Sequence, residues 1–166
     1  AAFHRPEDQR YKHLPPEEFQ YGFWTRGPMD DYEAPPGIAV AFSEDLQTWQ
    51  DNHPVLHPRE GKWDCKRSGS AGPPIQTENG WLTVYHGIDM DDVYRLGLLL
   101  LDLEEPWKII KRQEEPILEP EMPWEREGDV PDVVFSCGSL LFGTELWVYY
   151  GAADKVVGLA IGDVGE

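Results

Sequence analysis

Two cysteines, Cys65 and Cys137, are all that 166 residues contain, too few for the disulfide scaffold of a small secreted domain, and they read as reduced thiols. No apolar run approaches the roughly 18 residues that cross a bilayer; the longest, Leu96 to Leu103, is interrupted by Gly97 and Asp102. Basic residues are scarce as well. Against 31 Asp and Glu stand 14 Lys and Arg, a net charge of -17, which repels nucleic acid and anionic membrane surfaces beyond the screening length. Neither a Cys/His cluster, a glycine-rich phosphate loop nor a Gly-x-Ser-x-Gly elbow occurs. His53 and His57 have the i, i+4 spacing of helical metal ligands, but Pro54 and Pro58 follow them. An extended segment holds such a pair more than about 10 Å apart, so no metal is expected. No segment resembles a signal peptide, which points to a cytoplasmic protein, although the chain opens on Ala1-Ala2-Phe3 rather than methionine.

What the chain does contain is a repeated phrase. Trp81-Leu82-Thr83-Val84-Tyr85-His86-Gly87 leads to Tyr94-Arg95-Leu96-Gly97, and Leu146-Trp147-Val148-Tyr149-Tyr150-Gly151 leads to Val157-Gly158-Leu159-Ala160. A partial copy stands at Gly37-Ile38-Ala39-Val40-Ala41-Phe42. Self-similarity at roughly 60 residues, carried by β-branched and aromatic strands, predicts stacked antiparallel modules of the propeller kind. Strand signals fall at 37–43, 81–87, 94–103, 108–112, 132–137, 145–150 and 156–162, and helical periodicity is nowhere sustained. The expected organisation is a single partial propeller domain over 1–166, with a long polar and aromatic loop at 7–36 and blade segments near 37–80, 81–131 and 132–166. Trp49 and Trp107 each follow an acidic turn and are expected in the core. The rings of the 7–36 segment either line a sugar site or pin a surface excursion.

Carboxylates are too abundant for most to be singled out. Asp154 follows the small residues Gly151-Ala152-Ala153, and Asp64 precedes the rigid Gly69–Ile75 stretch with its two prolines. Each is read as a buried acid at a strand end, serving either a ligand or the loop amides. His86 ends an alternating strand whose Trp81, Thr83 and Tyr85 face one way and Leu82, Val84 and His86 the other. The position matching His86 in the next copy is taken as Tyr150.

These phrases also carry a resemblance. Trp63-Asp64, Gly69 through Pro73-Pro74-Ile75, Tyr85-His86-Gly87, Tyr94-Arg95-Leu96-Gly97, Pro116-Ile117-Leu118-Glu119-Pro120-Glu121, Val133-Val134-Phe135, Cys137-Gly138 and Tyr149-Tyr150-Gly151-Ala152-Ala153-Asp154 resemble, in order, glycoside hydrolase family 130. That family comprises β-mannoside phosphorylases and hydrolytic relatives. The resemblance implies a five-bladed β-propeller, of which about three blades are expected here. It implies inverting phosphorolysis of a mannoside oligosaccharide to mannose 1-phosphate, with inorganic phosphate as co-substrate and no other cofactor. Arg5, Arg67 and His86 match the phosphate-binding positions, and Asp154 and Asp64 match positions that hold sugar hydroxyls or order the pocket. The general acid is expected upstream, so no catalytic acid is assigned in this chain; Asp8, in Glu7-Asp8-Gln9-Arg10, falls on the wrong side of His4-Arg5-Pro6. Two departures, Val130-Pro131-Asp132 for Val-Pro-Asn and Gly69-Ser70-Ala71-Gly72-Pro73-Pro74-Ile75 for Gly-Ala-Gly-Pro-Pro-Pro-Ile, bear on sugar preference. The expected partners are a further copy of the chain or an upstream half. A β-mannoside hydrolase and a sugar-binding module without catalysis are the alternatives.

Overall fold

The computed structural model describes residues 37–165, with 2–3 and 21–26 as strand segments. Arg5, Asp8 and most of the 7–36 segment lie outside the described residues. Three antiparallel sheets follow one another along the chain. The first contains β1 (Ala2–Phe3), β2 (Tyr21–Arg26), β3 (Ile38–Ser43) and β4 (Gln50–Leu56), in that order. The second contains β5 (Arg67–Ser70), β6 (Ile75–Thr77), β7 (Gly80–Ile88), β8 (Tyr94–Leu101) and β9 (Ile109–Arg112), ordered β5-β7-β8-β9 with β6 also paired to β7. The third is β10 (Val134–Phe142), β11 (Glu145–Ala152) and β12 (Val156–Asp163). One helical turn, α1 (Pro123–Arg126), lies between the second and third sheets.

The all-β expectation holds, and five strands, β1, β2, β4, β5 and β6, fall where none was expected. Strand β2 runs through the segment read as a loop. Strands β4 and β5 escaped because their composition is polar or small: Gln50-Asp51-Asn52-His53-Pro54 opens one, and Arg67-Ser68-Gly69-Ser70 is the whole of the other. Pairing with β3 and β7, not side-chain pattern, makes them strands. The second sheet therefore gathers residues on both sides of position 80.

Alternation along β7 decides how the sheets stack. Trp81 and Tyr85, with Leu99 and Leu101 of β8, pack against Ile38, Val40, Val55 and Leu56 of the first sheet. Leu82, Val84 and Leu96 point the other way, into Val134, Leu146, Val148 and Tyr150 of the third. Each such side chain contributes about 1.5–3 kcal/mol on burial, and the second sheet is a layer covered on both faces. The third sheet is not. Among the described residues nothing covers the outward side chains Leu140, Phe142, Tyr149, Val157, Leu159 and Ile161, with Val157 81% exposed.

The acidic turns behave as their resemblance to one another suggests. Asp45 accepts hydrogen bonds from the amides of Gln47 and Thr48, and Asp102 from those of Glu104 and Glu105. Their tryptophans diverge. Trp107 packs on the first core and stacks on His53 at 4.2 Å, whereas Trp49 is 38% exposed. Within the turn at 44–49, Leu46 takes a left-handed φ of 61°.

The repeat is deeper than the strand phrase. Tyr85 pairs with Gly97 and its ring fills the space a side chain there would need; Tyr150 does the same over Gly158. Ser70 Oγ donates to the Gly72 carbonyl, and Ser136 Oγ to that of Gly138, each at 3.1 Å. This register aligns Tyr85 with Tyr150, so the position matching His86 is Gly151 and not Tyr150. The doubled Tyr149-Tyr150 hid the one-residue offset.

Candidate functional site

His86, Arg67 and Tyr94 stand at one end of the second sheet, on the face turned to the third. The register puts Gly69 opposite His86 and both Arg67 and Tyr94 opposite Ile88. Gly69 is required there, since a Cβ would come 2.5 Å from the imidazole Nε2. The imidazole lies 4.6 Å from the Phe135 ring and 6.1 Å from Tyr94, centroid to centroid. A guanidinium Nη2 of Arg67 donates to Tyr94 Oη, and its Cζ sits 5.6 Å from the Tyr94 ring centre. Arg67 Nε is buried and makes no hydrogen bond among the described residues. Arg67 and His86, remote in sequence, thus meet on Tyr94. Tyr94 was not picked out as a site residue; its place in the Tyr-Arg-Leu-Gly phrase was the available signal, read only as strand.

Asp64 lies elsewhere, on the face turned to the first sheet, and is fully buried. Its carboxylate accepts from Arg59 Nε at 3.1 Å and Nη2 at 3.0 Å, from Arg112 Nη2 at 2.6 Å, and from Tyr85 Oη at 2.9 Å. Burial works to raise its pKa, but the Arg59 hydrogen bonds, the Arg112 charge and Tyr85 together hold it below the ordinary carboxylate value. Burial pushes the Tyr85 phenol up to about 12, so it stays a donor. With both oxygens engaged, Asp64 holds protein rather than presenting an oxygen to a ligand. Asp154, unlike Asp64, is not the buried acid anticipated. It is exposed on the β11–β12 turn, where Ala153 and Asp154 have φ of 48° and 52° and the Lys155 amide bonds back to Ala152, a geometry suited to the strand twist.

The third sheet has a counterpart of the Asp64 lock. Glu125, 3% exposed, accepts from Tyr150 Oη at 2.6 Å and from the Glu121 and Met122 amides. Burial again opposes ionisation, and the Tyr150 and amide hydrogen bonds outweigh it and lower the pKa. Its neighbour Trp124 precedes it as Trp63 precedes Asp64. Among the described residues no arginine donates to it.

Arrangements like these can do one thing directly: a cation, an imidazole and a phenol on a shared face form a cradle for a small oxyanion. The model of the β-1,4-mannooligosaccharide phosphorylase family matches residues 31–166. A 1,2-β-oligomannan phosphorylase from a Thermoanaerobacter species is 54% identical over 126 residues, 76% of this chain and 43% of its own length. A β-1,4-mannooligosaccharide phosphorylase from Ruminococcus albus is 34% identical over 153 residues, 89% of this chain and 45% of its own. Among solved structures, a β-1,2-mannobiose phosphorylase from Listeria innocua, in complex with β-1,2-mannobiose, superposes with a TM-score of 0.80 at 36% identity, over 88% of this chain and 40% of that one. The chain spans less than half the length of these relatives.

Proposed function

Because the chain belongs to glycoside hydrolase family 130, the family of β-1,4-mannooligosaccharide phosphorylases, we propose that it supplies the phosphate-holding part of an inverting β-mannoside phosphorylase. The carrying observation is the meeting of Arg67 and His86 on Tyr94. In a chain of charge -17, a site for phosphate needs its cations gathered locally, and these donors are gathered. Arg5 is proposed as a further member, from the resemblance alone.

In the reaction, a phosphate oxygen attacks the anomeric carbon from the face opposite the leaving sugar. The new C–O bond forms as the glycosidic C–O bond breaks, and an acid protonates the departing oxygen. Arg67, His86 and Tyr94 hold and orient the nucleophile. The acid comes from the part of the protein outside this chain. Identity favours β-1,2-linked mannosides over β-1,4-linked ones, at 54% against 34%.

The three sheets are proposed as consecutive blades of a five-bladed propeller. The apolar outer face of the third sheet is then covered by a blade of the remaining polypeptide. A cytoplasmic location is part of the same reading.

The test is product analysis of the full-length protein on β-1,2-mannobiose with and without inorganic phosphate. Mannose 1-phosphate formed only with phosphate is expected. Free mannose released equally in both would make it a hydrolase. Within the phosphorylase, Arg67→Ala or His86→Ala should raise the phosphate KM at least tenfold and the mannoside KM far less.

A further inference from the structure

The two locks pose a question that the fold does not answer. The third sheet buries Glu125 with a tyrosine and two amides, and among the described residues no arginine donates to it. Its counterpart Asp64 has the equivalent tyrosine, Tyr85, and, in addition, two guanidinium groups. Arg112 reaches in from β9, where it also donates to the His57 carbonyl and to Tyr85 Oη. Arg59 arrives from the connection after β4 and also binds the Gln113 and Glu114 carbonyls. Burying two cations and an anion is costly, and a hydrophobic filling is often as stable. The third sheet holds its buried carboxylate without them among the described residues.

The difference lies in what stands next to each lock. Asp64 accepts from Tyr85 on one side of His86 and presses on Gly87 on the other: a Cβ on Gly87 would overlap Asp64 Cβ and the Trp63 ring. It also stands three residues before Arg67, with the intervening Lys66 amide bonded to the Ile88 carbonyl. Both strands of the pair that carries Arg67 and His86 therefore bear on one carboxylate. At the matching place in the third sheet stands Gly151, with no side chain to aim.

We propose that Arg59 and Arg112, by clamping Asp64, are positioning residues that set the separation and aim of Arg67 and His86 for phosphate. The inference rests on the phosphate reading above. A displacement of about 0.5 Å in β5 against β7 suffices to spoil a donor set that must meet one anion.

The test uses the full-length enzyme. Arg112→Gln should raise the phosphate KM about fivefold or more, with kcat at saturating phosphate and the mannoside KM within about twofold of the parent, and Arg112→Lys should recover part of the loss. Glu125→Gln, in the other lock, should lower the thermal midpoint and leave the phosphate KM unchanged. If Arg112→Gln fails to fold, Arg59→Lys, which keeps the charge and removes the forked contact, is measured in the same way. A variant of either arginine that loses stability but keeps the parent phosphate KM overturns the inference while leaving the phosphate site intact. Should Arg67→Ala and His86→Ala also keep it, the phosphate reading itself falls and the inference with it.

Discussion

In the second sheet Tyr85 lies over Gly97 and donates to Asp64; in the third Tyr150 lies over Gly158 and donates to Glu125. The Ser-x-Gly hydrogen bond is shared too, at Ser70 and Ser136. At the strand ends the likeness stops. Where the second sheet has Arg67 and His86, the matching register of the third has Val133 and Gly151. One set of positions builds the repeated sheet, and another, a residue or two away, carries the side chains proposed to hold phosphate. A sheet can be repeated for its packing and specialised at its end because strand alternation keeps the two sets on separate faces or separate ends.

The comparison breaks hardest at the carboxylates. Asp64→Ala leaves two largely buried guanidinium groups without their partner and should cost about 3–5 kcal/mol. Glu125→Ala leaves a phenol and two amides, about 1–3 kcal/mol. Denaturant unfolding of the two variants measures the gap, and equal losses would mean that the arginines add nothing to the second lock.

Next come the glycines beneath the tyrosines. Gly97→Ala places a methyl group 2.5 Å from the Tyr85 ring and 2.7 Å from Trp63, an overpacking of about 1–3 kcal/mol. Gly158→Ala brings its methyl group 2.4 Å from the Tyr150 ring, which at 7% exposure has more room to yield than the fully buried Tyr85, and should cost less. Gly162, with nothing within 4 Å of its would-be Cβ, is the control: alanine there should be neutral within about 0.5 kcal/mol. Thermal midpoints ranked Gly97, Gly158, Gly162 from lowest to highest would sharpen the comparison.

The smallest effect is in pH. Both acids have folded pKa values below the unfolded ones. Their contribution is therefore complete above the unfolded value of about 4 and is lost as pH falls through the depressed folded value. Acid unfolding should begin below about pH 4. Asp64→Asn and Glu125→Gln should each flatten it, and a variant whose stability still falls as steeply would remove that carboxylate from the account.

How far the sequence could be read depended on whether a side chain's role was local. The alternation of Trp81 to His86 separates two faces, and the structure packs each against a different sheet. The repeat was visible for the same reason, though Tyr149-Tyr150 concealed its register until the glycine partners were seen. Asp64 was recognisable as unusual, but its partners Arg59, Tyr85 and Arg112 lie five, 21 and 48 residues away, and no spacing rule joins them.

The all-β class, the acidic surface and the family were determined by sequence alone, since composition, period and motif are properties of neighbouring residues. Only the tertiary structure decided that Asp64 holds the protein together, that Asp154 rides an exposed turn, and that Tyr94 joins Arg67 to His86. Those outcomes depend on which strand lies beside which and on the register between them. Strand pairing is a contact between distant parts of a chain, and a linear pattern does not record it.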